Sequence, residues 1–202
     1  MINKNIDPNF FQTIDYSYES TLEKLKYARQ GSHYSIIYPD LRVLRKIYSQ
    51  HIRRQIEVKN EIVLILSHYE ATDMVRYVLK LIAGLDVKEY ETHESLLILD
   101  SVRAFFGSSI DMRSFVESLT NYADRIGKDG VSVLADMGSF FHYNKLDYLI
   151  EYETSLPRRY NIKANGICMY HKNDFNYGLS HVQKRKLLEH HGRELTVAAP
   201  PH

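Results

Sequence analysis

Residues 130–138 read GVSVLADMG, an apolar run from Val131 to Ala135 that stops at Asp136 and Gly138. The run does not alternate with polar residues, which predicts a strand buried on both faces, with helices covering each side of its sheet. Similar runs stand on either side: HYSIIY (33–38), EIVLILS (61–67), SLLILD (95–100), NGICMY (165–170) and the terminal RELTV (193–197). Between them lie segments with apolar residues at helical spacing. These are LRVLRKIYSQHIRRQIEV, ATDMVRYVLKLIAG closing on Gly84, about 111–126 with Asp111 as N-cap, KLDYLIEYETSL stopped by Pro157, and LSHVQKRKLLEHH ended by Gly192. Strand–helix alternation with right-handed crossovers gives a three-layer α/β/α fold around a mainly parallel sheet.

The 202 residues, 44% hydrophobic and 25% charged, suit one domain with a substantial core. That domain is expected over 31–197. It follows a leader, 1–30, with an Asp7–Pro8 turn and a short helix in STLEKLKYAR, and precedes a tail, 198–202. Lys and Arg number 26 against 25 acidic residues, so no global field draws nucleic acid or an anionic membrane. The stretches RVLRKIYSQHIRRQ and QKRKLLEHH read as solvated faces of covering helices. Cys168 is the only cysteine, which rules out an internal disulfide or a CxxC motif and suits a reducing compartment. No apolar run approaches the roughly 20 residues of a membrane span, and the start has no apolar signal-peptide core. A cytoplasmic location is expected.

Ligands of open parallel sheets bind beyond the carboxyl ends of the strands. Those ends offer Tyr38, Pro39 and Asp40; Ser67, His68 and Tyr69; Asp100; Asp136; and Tyr170 and His171. The candidate ligand-binding set is Tyr38, His68, Asp136, Cys168, Tyr170 and His171. A phosphate cradle is missing: the first strand runs into YPDLRVLRK, without a glycine. Asp136 resembles a Walker B aspartate, so the core looks like a RecA-type NTPase core without a working Walker A motif. No catalytic residue and no cofactor is expected.

One cysteine and scattered histidines suggest no closed metal site, and folding without metal. An enzyme using Cys168, or a metal held by His68, Asp100, Asp136 and His171, is a lesser alternative. His51, among arginines, is expected to be solvated, and His190 and His191 to act as cations or polar contacts at a helix end. Cys168 in an apolar strand reads as a small hydrophobe. A reactive thiolate would need an imidazole neighbour. His33 is the conceivable one, yet an offset of about three residues along adjacent strands would put it roughly 10 Å away.

The ordered series GSHYSIIY, IAGLDV, SLLILD, GVSVLADMG, LIEYE, ICMY and LLEHHGREL resembles the MEDS domain, a sensory domain named after methanogens, methylotrophs and the regulator DcmR. The likeness runs from about Gly31 to Val197. It implies a RecA-like or circadian-clock-ATPase-like core without a working P-loop, and a role in sensing small hydrocarbon derivatives. The family's characteristic histidine and cysteine would be His33 and Cys168. Members occur alone or joined to DNA-binding or histidine-kinase modules, and no such module is recognisable here. The expected function is a non-enzymatic sensory module that binds a small ligand or a protein partner. Possible partners are a signalling protein or further copies of the chain, with no nucleic acid or membrane contact. The alternative is a degenerate ATPase-like scaffold that self-assembles without hydrolysis.

The absent glycine loop and lysine predict that magnesium ATP and GTP bind weakly or not at all and are not hydrolysed. Titration calorimetry checks this; micromolar binding with turnover abolished by Asp136→Asn would establish an atypical NTPase instead.

Overall fold

Six strands form a single parallel sheet in the order β3-β2-β4-β5-β1-β6. They are β1 (His33–Tyr38), β2 (Glu61–Ser67), β3 (Leu96–Asp100), β4 (Gly130–Asp136), β5 (Ala164–His171) and β6 (Arg193–Thr196). The computed structural model describes residues 16–107 and 111–197; the Asp7–Pro8 turn and the 198–202 tail lie outside them. Every residue of β1 and β2 is buried, as their unbroken apolar character predicts. The edge strand β3 is exposed at Leu99 and Asp100.

Chain direction decides which face each helix covers. The steps from β1 to β2 and on to β3 run one way across the sheet. Their helices α2 (Leu41–Glu57), α3 (Thr72–Val78, continuing as a π-helical turn over Leu79–Ala83) and α4 (Val87–Thr92) cover one face. The steps from β3 to β4, β5 and β6 run the other way. Their helices α5 (Ser101–Phe106), α6 (Met112–Arg125), α7 (Gly138–His142), α8 (Leu146–Ser155) and α9 (His181–His190) cover the opposite face. Right-handed crossovers require this division. The leader's helix, α1 (Tyr16–Lys26), docks on the first face, with Leu25 in its core.

Local signals in the sequence account for most helix ends. The carboxylate of Asp111 accepts from the Ser114 amide at 3.1 Å, and Ser180 forms a capping box with Gln183 at the start of α9. Gly84 takes the left-handed conformation that closes the π-helical turn, with φ 67°.

His51 departs from expectation. It is not solvated among the arginines: its ring is buried against β4, with Nε2 at 3.1 Å from the Ser132 hydroxyl. The cause is helical spacing, since His51 falls four residues after Ile47 on the buried stripe of α2. Burial, and to a lesser degree the charge of Arg54, lowers its pKa to about 4, so the ring packs neutral.

Glu61, at the start of β2, is 6% exposed, and its Oε2 lacks a hydrogen-bond partner. Burial raises its pKa from 4.5 to about 7, with Lys59 opposing and Asp129 adding to the shift. The unfolded chain therefore loses this proton at lower pH than the folded one. The resulting stability is full below about pH 4.5 and is lost as pH rises through about 7. Glu61→Gln removes that loss. Thermal midpoints across a pH series should show the variant gaining on the wild type through this window, by at most about 3 kcal/mol; a pH-independent difference would mean that Glu61 folds ionised.

Candidate functional site

The pairing of β1 with β5 sets His33 beside Gly166 and Ser35 beside Cys168. His33 and Cys168 therefore share a sheet face and are offset by two residues, not three. Gly166 has no side chain to separate them, and the imidazole leans along the strand until Nε2 is 3.5 Å from the Cys168 sulfur. The expected separation of His33 from Cys168 is thus corrected. A Cβ at Gly166 would come within 2.8 Å of the Tyr160 hydroxyl, so a glycine is required for Tyr160 to pack over this point.

Two further groups complete the cluster, and both were missed in the sequence. Glu153, from α8, places Oε2 3.8 Å from His33 Nε2 and 3.4 Å from His191 Nε2. His191 lies between α9 and β6, and its ring centroid is 4.2 Å from that of His33. It is buried, and it makes a polar contact at the end of α9, as one of the two roles expected of it. The available signal for Glu153 was its position four residues after Leu149, on the inner side of α8. His33, Glu153, Cys168 and His191 are all buried, with one potential ligand atom from each lying within 4.8 Å of the others. The expectation of scattered donors is corrected accordingly.

The hydrogen bonds around the cluster orient its two imidazoles. His33 Nδ1 faces the Pro157 carbonyl at 3.1 Å, and His191 Nδ1 faces the Leu187 carbonyl at 2.7 Å. Carbonyl oxygens only accept, so each Nδ1 carries a proton and each ring turns its Nε2 inward, toward Glu153. The Tyr170 hydroxyl donates to Glu153 Oε1 at 2.6 Å. Glu153 Oε2 and His191 Nε2 have no hydrogen-bond partner. Burial, then the neighbouring His191, lowers the His33 pKa to about 4. Burial and the Glu153 charge hold the Cys168 thiol well above its ordinary value, so it donates toward the imidazole as a neutral group.

Cys168 also lies on the wall of a cavity of about 60 Å³ between β4, β5, α6 and the link from α8 to β5, with Val133, Ala135, Tyr152 and Tyr160 among its lining.

The six candidate residues divide between two places. Cys168 and Tyr170 belong to the cluster. Tyr38, His68, Asp136 and His171 stay at the carboxyl edge, where Tyr38 packs edge-on to His171 with centroids 5.5 Å apart. Around Asp136 that edge is filled by its own side chains, while a cavity of about 480 Å³ opens beside Asp100 at the end of β3. Asp136 accepts from the amides of Gly138, Tyr69 and His68 at 3.0, 3.1 and 3.4 Å, and burial still raises its pKa to about 6. Tyr69 and His68 lie across Gly138, where a Cβ would meet their rings at 2.5 and 2.7 Å. The Tyr69 hydroxyl donates to Asp174. His68, Asp100, Asp136 and His171 do not form a donor group among the described residues.

The MEDS family model, described as the methanogen/methylotroph, DcmR sensory domain, matches residues 32–183. No curated protein is found to match the chain.

Gly166→Ala should displace Tyr160, costing about 1–3 kcal/mol by overpacking. Tyr160→Phe, which removes the nearest atom, should recover part of that cost when combined with it. A double-mutant cycle of denaturant midpoints checks the coupling; strict additivity would show that Tyr160 does not constrain residue 166.

Proposed function

The chain belongs to the MEDS family of sensory domains, and from that premise we propose that it is a non-enzymatic sensor whose small, mostly apolar ligand binds in the cavity at Cys168. The observation that carries this reading is the 3.5 Å contact of Cys168 with His33 beside that cavity. These are the two positions that the family resemblance singles out. At about 60 Å³, the cavity is far smaller than the roughly 300–1,000 Å³ of pockets for drug-sized molecules. It therefore suits a molecule of few heavy atoms, such as a short hydrocarbon derivative.

Two features support a role without catalysis. The Cys168 thiol is held protonated by burial and by Glu153, the reverse of the cationic surroundings that activate a nucleophile. At α2, the carboxylate of Asp40 accepts from the amides of Arg42 and Val43 at 2.8 and 3.1 Å, occupying the donors a phosphate would need. Together with the side chains packed around Asp136, this favours a RecA-type core that has lost its nucleotide cradle. Among the described residues no helix is long and apolar enough to cross a membrane. The single free cysteine fits a reducing cytoplasm. A signalling protein or a second copy of the chain would then read the ligand-dependent state.

A thermal-shift screen of small halogenated, methylated and aromatic compounds tests the proposal. A true ligand at about 100 times its Kd should stabilise the protein by about 2.7 kcal/mol. Cys168→Ser should reduce that shift, and His68→Gln should leave it intact. A shift lost in His68→Gln and kept in Cys168→Ser would move the site to the carboxyl edge, and no shift with any compound would overturn the pocket.

A further inference from the structure

His33, Glu153, Cys168 and His191 face one another in the interior with one potential ligand atom each. Both imidazoles spend their Nδ1 protons on backbone carbonyls, which turns both Nε2 atoms toward the Glu153 carboxylate. The thiol of Cys168 supplies one hydrogen. Glu153 Oε2 and His191 Nε2, on side chains with no solvent exposure, remain without a hydrogen-bond partner. An unsatisfied buried polar atom is costly, and more so when charged. Two such atoms 3.4 Å apart are placed to share a cation.

The spacing suits a metal ion. Zinc bonds of about 2.0–2.3 Å to nitrogen, oxygen and sulfur in a tetrahedron put neighbouring ligand atoms roughly 3.3–3.7 Å apart. The observed separations are 3.4 Å for His191 to Glu153, 3.5 Å for Cys168 to His33 and 3.8 Å for His33 to Glu153. No pair exceeds 4.8 Å, so closing on an ion takes shifts of about 1 Å or less. The outer contacts are those that orient ligands in metal sites: a carbonyl behind each imidazole and a tyrosine hydroxyl on the far carboxylate oxygen.

We propose that His33, Glu153, Cys168 and His191 bind a single divalent transition-metal ion of the zinc type. Two imidazole nitrogens, one thiolate and one carboxylate form a borderline-soft set that selects zinc or cobalt over magnesium and calcium, which take oxygen ligands. On binding, Cys168 gives its proton to solvent and its sulfur becomes a thiolate ligand; nothing is oxidised or reduced. The site goes beyond the ligand pocket and does not depend on what occupies it.

The test is titration of the full chain, stripped with chelator and kept reduced, with Co²⁺ followed by Zn²⁺. The expected result is a single Co²⁺ per chain, giving the intense visible bands of tetrahedral cobalt and a near-ultraviolet thiolate-to-cobalt charge-transfer band, both abolished by Zn²⁺. Cys168→Ser should remove the charge-transfer band. Glu153→Gln and His191→Ala should weaken Co²⁺ binding by roughly tenfold or more, while His190→Ala should not. Because core variants can fail to fold, the wild-type spectrum alone also decides: weak octahedral bands, or no charge-transfer band at saturating Co²⁺, would overturn the site. A protein that binds Co²⁺ as described but responds to no compound in the thermal-shift screen would retain the metal and lose the ligand pocket. One that responds to a compound but not to Co²⁺ would do the reverse.

Discussion

The pairing of β1 with β5 is the constraint on which the site depends. Its register places His33 beside Gly166, and the missing side chain at that glycine lets an imidazole and a thiol from different strands meet inside a sheet covered on both faces. Slipping the register by one residue would turn every side chain of β1 to the opposite face. It would carry His33 away from Glu153 and bring Tyr34 into its place. The apolar residues Ile36, Ile37 and Tyr38, each buried against one core or the other, hold that register by the area they remove from water.

A sheet covered on both sides cannot leave its polar groups to solvent, and the two faces solve this differently. On the α2 face several polar groups are paired, while the Tyr38 and Ser49 hydroxyls and Gln55 Oε1 lack a partner. Glu70 takes Arg45 at 2.6 Å and the Tyr48 hydroxyl at 3.0 Å, and His51 meets Ser132. On the α8 face the pairing is incomplete. Glu153 has one oxygen satisfied by Tyr170 and the other opposed to two imidazoles. Networks left partly satisfied in a low-dielectric interior are costly. At the α8 face the unpartnered atoms of Glu153 and His191 stand 3.4 Å apart and face each other.

The fold was legible because its signals are local. Unbroken apolar strands, the Asp111 cap and the Gly84 closure each act within a few residues, and all appear where the sequence implies. His51 was legible in principle, since its spacing from Ile47 marks the buried stripe, but the neighbouring arginines hid it. The cluster was not legible. It joins positions 33, 153, 168 and 191 through strand order and register, which no short window of sequence contains. The His33 to Cys168 contact turned on an offset of two residues instead of three. Of the residues named from the sequence, Cys168 and Tyr170 turn to the other face from Tyr38 and His171 and meet the cluster there.

The two ends of the sheet now have different chemical characters. At the carboxyl edge, where a phosphate would bind in an open parallel sheet, Asp40 occupies the amides of α2, while Tyr69 and His68 cover Gly138 and hold Asp136 through their amides. Binding there would require displacing side chains that are already satisfied. The cluster at Cys168 has the opposite balance, with unsatisfied acceptors beside a small cavity. It also ties together elements that are distant in sequence: β1 and β5 through His33 and Cys168, α8 through Glu153, and the link from α9 to β6 through His191. Gly192, next to His191, donates its amide to the His33 carbonyl at 2.8 Å, so the backbone repeats the connection made by the side chains. A small displacement at Cys168 therefore acts directly on α8 and on the end of α9, two elements with outer faces on the molecular surface. Packed interiors respond to such displacements by repacking discretely and not by continuous deformation, which is how a buried event can become visible outside.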